Sequence, residues 1–367
     1  QLWKFMETDL TEAITSGKLT SKTSLEDRDG GTRATLEAAR CLLGKIYLYQ
    51  EKYADAKSEL EKVISSGKYD LIADVSTFYH PASAGCKEYV LECVRHYDPS
   101  NMYSQEGWFG ILANWGFGYG FIAGPEASMH YKFNTTSGYS YFNPSKSLYD
   151  AFVAEEGADG YRLNAWIRTW EQVIAMNIAV NTTTNKYASE GYFRLKWLAS
   201  TDDEFVGYWC GNQSNTPVIR YADVLLMAAE ACLQAGDQAG ADEYLGRVRD
   251  RARLPRKSHV TLSDIKLERR LELAMEGMRF QDLKRWGDAP AVLADKGKKL
   301  PTFQIVPDPN NDLTTAAGIY NARYTTKTTY VDNEKSLAGW TPNRDEWLPF
   351  PENELEVNSN LKQNPGY

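Results

Sequence analysis

The strongest helical pattern in the chain lies in VIRYADVLLMAAEACLQAGD (218–237) and LERRLELAMEGMRFQDLKRWG (267–287). In the first run, apolar residues recur at spacings of three and four, which predicts a helix with one buried face. The residues of this face are Val218, Tyr221, Ala222, Leu225, Ala229, Cys232 and Leu233. Several are small, so a second helix can approach closely. Gly236 follows the pattern and is predicted to end the helix.

Two more helices are predicted after this one. Ala241 and Leu245 belong to an apolar stripe that continues to Ala252 and ends before Pro255. Thr261 and Asp264 then form the T-x-x-D pattern of a capping box, which starts a third helix. This third helix is heavily charged, and we expect a structural role in which charged residues pair at helical spacings of three and four. The charged residues are Glu268, Arg269, Glu272, Glu276 and Arg279. Arg285 and Trp286 are adjacent and are expected to stack.

The amino-terminal part is also helical. A helix is predicted over 1–16, and a helical hairpin is predicted over 32–50 and 53–66, closed by Gly67. This hairpin follows the tetratricopeptide spacing of L-G-x-x-Y and A-x-x-x-F. The matching residues are Leu43, Gly44, Tyr47, Ala56 and Leu60, with leucine in place of phenylalanine. Such hairpins bury their apolar faces only by stacking on neighbours.

The chain between 72 and 217 has a different character. It is rich in Gly, Tyr, Trp, Asn and Thr and has little sustained periodicity, which predicts an irregular subdomain laid over the helices. Short strands are predicted over 88–97 and 193–199, and a short helix within 144–167. Residues 297–347 are predicted to be loop-rich, and a last short helix is predicted to begin near Pro351. The predicted fold is mostly α, with tetratricopeptide-like hairpins, a large irregular loop-rich subdomain and a few short strands. A helical part, 1–71, and a second helical part, 218–367, form one domain with the irregular region 72–217.

Three separated motifs are similar to those of the SusD/RagB family. They are IRYADVLLMAAEA (219–231), ERRLELAMEGMRFQDLKRWG (268–287) and the terminal LPFPENELEVNSNLKQNPGY (348–367), in the order that the family has them. The resemblance covers the chain from about residue 32 onward. It implies an outer-membrane lipoprotein of Bacteroidetes that binds glycans beside a SusC-like TonB-dependent transporter and serves polysaccharide utilisation. It also implies that the hairpins face the transporter and the irregular subdomain faces the glycan.

The composition argues against a nucleic-acid partner and is compatible with a sugar ligand. The net charge of −8 argues against a nucleic-acid partner, because phosphate binding requires a basic face. The chain has 23 Tyr and 10 Trp, residues that combine an apolar face with a polar tip and suit wet binding surfaces. Apolar C–H faces of sugar rings stack on such side chains.

Three aromatic groups are candidate ligand sites. The first is GWFGILANWGFGYGF (107–121), in which glycines leave aromatic faces uncovered. The second lies in 131–142, in an Asn/Thr/Ser context typical of adaptable binding loops, and the third lies in 208–215. The candidate ligand residues are Trp108, Asn114, Trp115, Tyr119, Tyr131, Tyr139, Tyr141 and Trp209. The alternative is that the first group is a packed core and the other two are ordinary surface loops.

Signatures of catalysis are missing from the sequence. It has no H-E-x-x-H, G-x-S-x-G or P-loop motif, and its four histidines show no metal-ligand spacing. We therefore predict no catalytic residue, no metal and no cofactor. A pair of carboxylates for glycoside hydrolysis stays open, since the two need only meet in space. The acidic clusters Glu155/Glu156 and 202–204 are expected to be solvated loops. The five cysteines form no disulfide framework. Cys41 and Cys232 are expected to be buried thiols, while a Cys86–Cys93 bridge stays open.

No apolar run reaches the roughly 18 residues that a membrane span needs. The chain opens within an amphipathic pattern, QLWKFMETDLTEAI (1–14), without a signal peptide, from which we expect that its natural start is missing. The resemblance implies that upstream residues supply an N-terminal lipid anchor and place the protein on the outer leaflet of the outer membrane. The leading hypothesis is thus a non-catalytic glycan-binding protein that delivers oligo- or polysaccharide to the transporter. A helical-repeat adaptor for protein partners only, and a glycoside hydrolase, are the alternatives. Which glycan is bound, and the oligomeric state, stay open.

Overall fold

A computed structural model describes residues 1–94, 121–123, 143–175, 178–180, 186–187, 189–196, 215–312, 314–315, 317–318, 321, 323–334 and 338–367. The helices are α1 (Leu2–Thr15), α2 (Leu36–Tyr49), α3 (Tyr53–Ser65), α4 (Lys146–Glu156), α5 (Tyr161–Trp166), α6 (Trp170–Ala175), α7 (Tyr221–Gln234), α8 (Gln238–Arg251), α9 (Leu262–Glu272), α10 (Arg279–Arg285), α11 (Ala289–Val292) and α12 (Glu352–Val357). The strands are β1 (Tyr89–Cys93), β2 (Phe121–Ala123), β3 (Ile167–Thr169), β4 (Ile178–Val180), β5 (Lys186–Tyr187), β6 (Tyr192–Arg194), β7 (Thr216–Arg220), β8 (Lys299–Pro307) and β9 (Tyr324–Asp332). Short 3₁₀ helices cover Asp29–Thr32, Val75–Thr77 and Pro81–Ser83.

The first helical hairpin, α2 and α3, confirms the prediction from tetratricopeptide spacing. The Thr35 hydroxyl accepts a hydrogen bond from the backbone N–H of Ala38 at 3.1 Å, so α2 begins with a capped end. A Cβ atom at Gly44 would lie 2.8 Å from Cγ of Leu60. The two helices therefore approach as closely as they do because position 44 has no side chain.

The second hairpin, α7 and α8, packs beside the first. Every residue of α7 from Tyr221 to Cys232 is buried, because α3 and α8 cover this helix together with α2 and α9. Gly236 follows with a φ of +84°, as predicted for a residue that ends a helix. The hairpin helices and β7 share one apolar core, to which Leu60, Leu225 and Leu245 contribute.

The prediction that the helix already includes Val218 is wrong. Thr216–Arg220 form β7, which pairs antiparallel with β1, and Val218 is 40% exposed. Pro217 and the β-branched residues Val218 and Ile219 favour extended backbone over helix. The apolar spacing therefore extends back to residue 218, although the helical backbone begins only at Tyr221.

The third predicted helix begins as expected. The Thr261 hydroxyl accepts from the backbone N–H of Asp264 at 3.3 Å, and Asp264 accepts from the backbone N–H of Thr261 at 2.9 Å, which completes a capping box. The predicted stacking of Arg285 on Trp286 is also confirmed, with the guanidinium carbon 4.4 Å from the ring centroid.

The predicted pairing along this charged helix is wrong. Helix α9 ends at Glu272, so Glu276 lies beyond it. Arg269 binds Asp223 of α7 at 2.7 Å and Asp282 of α10 at 2.9 Å, both on other helices. The charges face inward because α9 lies between elements that carry opposite charges, and helical spacing alone does not reveal this.

A second apolar core lies on the other side of α9. It joins Tyr79 and Tyr89 to α4, α5 and α9 through Phe152, Trp166 and Leu271. The indole N–H of Trp166 donates to the backbone oxygen of Val75 at 3.0 Å, so this large side chain is fully buried with its polar atom satisfied. The chain between 75 and 89 and the α4–α5 segment are thus packed onto the C-terminal helices.

Residues 297–347 contain more regular structure than predicted. Strands β8 and β9 pair antiparallel over nine residues each, from Lys299↔Asp332 to Pro307↔Tyr324, and β5 adds a short third strand beside β8. Phe303 anchors the sheet because it is buried against Trp170 and under Gly191. The final helix α12, with Pro351 before its first residue, agrees with the prediction.

The described cysteines are free thiols. Cys41 and Cys232 are buried, as predicted, and Cys86 and Cys93 do not form the bridge that the sequence left open. Glu156 is not part of a solvated loop, since it is fully buried against Arg162 at the end of α4. No helix within the described residues has both the length and the apolar character that crossing a membrane requires.

Candidate functional site

The predicted ligand residues lie outside the described residues. They belong to segments 95–120, 124–142 and 197–214. The residues concerned are Trp108, Asn114, Trp115, Tyr119, Tyr131, Tyr139, Tyr141 and Trp209. The described elements on either side of these segments form the base of the site.

Both ends of the aromatic-rich region meet at one strand pair. The chain leaves β1 at Cys93 and returns to β7 at Thr216, and these two residues are register partners. Residues 94–215, called the insert below, therefore start and finish side by side. Asn215 donates to Glu92 at 3.0 Å, and the backbone N–H of Gly85 donates to the same carboxylate at 2.8 Å. Burial raises the pKa of Glu92, and these hydrogen bonds act in the opposite direction.

A buried ion network lies under this closing pair. Arg220, the last residue of β7, donates to Glu88 at 2.6 Å, to Glu272 at 3.0 Å and to Glu276 at 2.8 Å. Arg251 of α8 binds Glu88 and Glu272 from the other side. Burial opposes ionisation of Glu272, but the charges of the surrounding arginines outweigh it and hold the pKa of Glu272 well below its usual range.

The insert itself supplies two further cations to this network. Arg162 of α5 binds Glu268 at 2.5 Å, Glu272 at 3.0 Å and Glu156 at 2.7 Å. Lys196 binds Glu276 at 2.6 Å and lies 3.7 Å from the ring centroid of Trp166. Burial lowers the pKa of Lys196 to about 8. Together, β1, β7, α8 and α9 hold the insert at its base through charges that are closed to solvent.

The acidic residues of α9 therefore have a structural role, as predicted from the sequence. Glu268 and Glu272 are almost completely buried, and each binds at least one arginine. A carboxylate that is enclosed and bound in this way cannot reach a substrate as an acid, a base or a nucleophile. Arginine is suited to this arrangement because its planar group donates in several fixed directions.

A cluster of three tyrosines joins the insert to β9 and was not selected from the sequence. Tyr330 is exposed, whereas Tyr149 and Tyr192 are partly buried against the second apolar core. Tyr149 of α4 and Tyr192 of β6 stack with ring centroids 4.6 Å apart. The Tyr330 hydroxyl of β9 donates to Glu190 at 2.7 Å, and the backbone N–H of Lys146 donates to the same carboxylate at 2.6 Å. The hydrogen bond to Glu190 raises the pKa of Tyr330 to about 12. The enrichment of YTTKTTYVD (324–332) in threonine, tyrosine and valine was the available signal for this strand.

One group of possible metal ligands occurs among the described residues. One ligand atom from each of Glu61, Cys232 and Asp237 lies within 4.8 Å of the others. Lys57 Nζ is 2.6 Å from Asp237, and the Tyr244 hydroxyl donates to Glu61 at 3.0 Å. The lysine already supplies the positive charge that these carboxylates need, so an ion pair accounts for the group.

The family is shown by comparison with known proteins. The SusD family model, SusD_RagB, matches residues 87–367. Since this is most of the chain, the chain belongs to the SusD family. The resemblance of the three motifs is thereby confirmed. The fold agrees as well, because the similar solved structures are SusD-like and helical.

Proteins that are similar in sequence to this chain are also named SusD-like. A SusD-like protein of Bacteroides ovatus is 31% identical over 170 residues, which are 41% of this chain and 29% of that protein. SusD-like protein P2 of Formosa agariphila is 26% identical over 362 residues, which are 90% of this chain and 59% of that protein. The chain thus spans less than two thirds of the length of the curated relatives that it matches.

Solved structures align along the whole chain. A laminarin-binding SusD-like protein has a TM-score of 0.73 and 28% identity, and the alignment covers 100% of this chain and 68% of that one. Surface glycan-binding protein A from Bacteroides thetaiotaomicron has a TM-score of 0.71 and 25% identity, with 100% and 70% covered. The same protein was also solved in complex with laminarihexaose; at 24% identity that likeness concerns the fold alone.

Proposed function

We propose that this chain is a non-catalytic glycan-binding protein of the cell surface, which delivers oligo- or polysaccharide to a SusC-like TonB-dependent transporter in the outer membrane. The observation that carries the proposal is the family match over residues 87–367. The similarity to a laminarin-binding SusD-like protein at 28% identity supports a glycan as the ligand class.

The geometry at the base of the insert supports recognition by loops on a rigid scaffold. Binding residues commonly stand on loops that a stable framework positions. Here the framework is the strand pair β1–β7 and the ion network beneath it, and the aromatic-rich segments of the insert are the predicted loops. The proposal keeps the eight predicted ligand residues as the contacts, with aromatic stacking and hydrogen bonds as the binding forces. It also keeps 72–217 as the ligand side and the helical parts 1–71 and 218–367 as the supporting side.

The absence of bond cleavage is part of the proposal. The carboxylates that come together at the base of the insert, such as Glu268 and Glu272, bind arginines inside the protein. Glycoside hydrolysis requires two carboxyl groups that face each other across a sugar. Buried, arginine-bound groups do not offer this arrangement, which favours binding over hydrolysis.

The transporter partner and the location at the outer leaflet are part of the proposal, and the family match supports them. The helical hairpins are the proposed docking side, and the membrane is reached only through a lipid anchor upstream of these residues. Co-purification with a SusC-like transporter from outer membranes tests this part. Recovery of the protein without any transporter under mild detergent would contradict it.

Titration calorimetry tests the ligand class directly. The chain is titrated with laminarin oligosaccharides and with a panel of other soluble glycans, and Trp115→Ala is measured in parallel. We expect binding to at least one glycan and at least a tenfold loss in the variant, about 1.4 kcal/mol. Trp347→Ala is the matched control, because Trp347 is exposed near the C-terminal end and is not a predicted contact. No heat with any glycan would refute the proposal.

A further inference from the structure

We infer that Tyr330 of β9, with Glu190, Tyr149 and Tyr192 of the insert, forms a second contact site for uncharged sugar rings. The inference rests on the proposed function and adds to it a surface outside the predicted aromatic segments. It starts from the hydrogen bond between Tyr330 and Glu190 and from the stacked pair Tyr149–Tyr192, in which Tyr192 follows Glu190 closely in the chain.

The Tyr330 ring is held in place before any ligand arrives. Its hydroxyl donates to Oε1 of Glu190, while Oε2 of Glu190 accepts from the backbone N–H of Lys146. The carboxylate is therefore fixed from two sides, and it fixes the ring. Tyr330 nevertheless remains 48% exposed. An aromatic face that is exposed and already ordered loses little conformational entropy when a ligand stacks on it.

The charged groups around the tyrosines define the chemical class of the ligand. Lys146 and Asp150 form an exposed ion pair at 2.6 Å, so their charges cancel, and Glu190 adds one negative charge. The site offers hydroxyl acceptors and an ammonium donor for sugar hydroxyl groups. Its net negative charge repels uronates and sulfated sugars. Neutral hexose units are therefore the class that fits.

The cluster joins the insert to strand β9. Tyr149, Glu190 and Tyr192 belong to the insert, and Tyr330 of β9 reaches it through its hydrogen bond to Glu190. Strand β5 of the insert pairs with β8, whose other partner is β9. We expect a polysaccharide held by the predicted aromatic segments to reach Tyr330 as a second point of attachment. Two linked contacts strengthen binding only for ligands long enough to span both.

The test compares variants on a short and a long ligand. The ligands are laminarihexaose and polymeric laminarin, or a short and a polymeric form of whichever neutral glycan the calorimetric panel selects. We expect Tyr330→Ala to weaken binding of the polymer five- to tenfold and of the short ligand less than twofold. Tyr330→Phe keeps the stacking face and is expected to lose no more than twofold on either ligand.

Tyr324→Ala is the matched control. Tyr324 begins the same strand and lies on the same face as Tyr330, about 20 Å away at the rise of a β-strand. Equal polymer affinity in the Tyr330→Ala variant and the unaltered chain overturns the inference and leaves the proposed function intact. A preference for a polyuronate such as alginate over every neutral glycan also overturns it. No glycan binding by the unaltered chain refutes the proposed function, and the inference falls with it.

Discussion

The helical hairpins meet through small apolar side chains, whereas the insert adds buried charges to its apolar contact with the C-terminal helices. Between α2 and α3, Gly44 allows Leu60 to approach the helix backbone. At the base of the insert, Arg162 and Lys196 instead reach Glu272 and Glu276. The insert binds α8 and α9, which also pack with α7 of the second hairpin, so the contrast arises within one scaffold.

The difference lies in what each contact specifies. Apolar contact is not directional, and its strength follows the area removed from water. An ion pair in the interior contributes little net stability relative to an apolar pair, but removing one partner leaves a charge without compensation. The hairpins are therefore stabilised by their packing, while the insert is fixed in one orientation.

The largest effect is expected from Glu272→Gln. The substitution removes the charge that Arg162, Arg220 and Arg251 share. We expect the free energy of unfolding to fall by about 3–5 kcal/mol, measured by urea denaturation. Glu243→Gln is the control, since Glu243 binds Arg256 on the surface and such pairs contribute about 0–1 kcal/mol. An equal loss of stability in the two variants would contradict the claim that the buried charge of Glu272 matters more than a charge at the surface.

A pH titration sharpens the comparison through Lys196. Burial lowers its pKa from 10.5 to about 8, so the folded chain binds fewer protons than the unfolded chain between these values. The contribution of Lys196 to the free energy of unfolding therefore rises as the pH increases from 8 toward 10.5. Relative to Lys196→Met, the unaltered chain should gain about 2 kcal/mol between pH 8 and pH 10.

The control for this titration is an exposed lysine. Lys299 pairs with Asp332 at the surface, and Lys299→Met should show no such change relative to the unaltered chain. Urea denaturation at several pH values measures both differences. A pH-independent difference for Lys196→Met would contradict the burial of its charge.

The smallest effect is expected in the apolar region. A methyl group at Gly44 would lie 2.8 Å from Leu60, an overpacking that costs about 1–3 kcal/mol, and the better helix propensity of alanine offsets about 1 kcal/mol. We expect Gly44→Ala to destabilise the chain by about 1 kcal/mol. In a Leu60→Ala background the same substitution should become neutral or stabilising. A loss of the same size in both backgrounds would show that contact with Leu60 is not the cause.

The sequence predicts best what depends on near neighbours. The hairpins α2–α3 and α7–α8 follow from apolar spacing, and the capping box at Thr261 follows from two residues three positions apart. Contacts between residues that are far apart in the chain could not be predicted in this way. Arg162 and Glu272 are separated by 110 residues, so no local pattern connects them. The spacing of charges along α9 therefore suggested ion pairs within the helix, whereas the actual ion-pair partners lie on other elements.

The candidate site divides in the same way. Aromatic composition pointed to the insert as the ligand side, and its anchoring at β1 and β7 became visible only when the pairing of Cys93 with Thr216 was known. Tyr330 was missed because residues 297–347 were predicted to be loop-rich. The β-branched and aromatic residues of β9 form a strand by pairing with β8, a contact between separate segments of the chain.

The closing of the insert at one strand pair has a consequence for how such proteins diversify. Because residues 94 and 215 emerge next to each other, a segment of different length or sequence can be exchanged between them without changing the register of β1 and β7. A replacement segment must also place two cations where Arg162 and Lys196 lie. Without them, Glu272 and Glu276 lose the cations that the insert supplies. Under the proposed function, ligand specificity is replaced as a unit, subject to the charges and the apolar contacts at the joint.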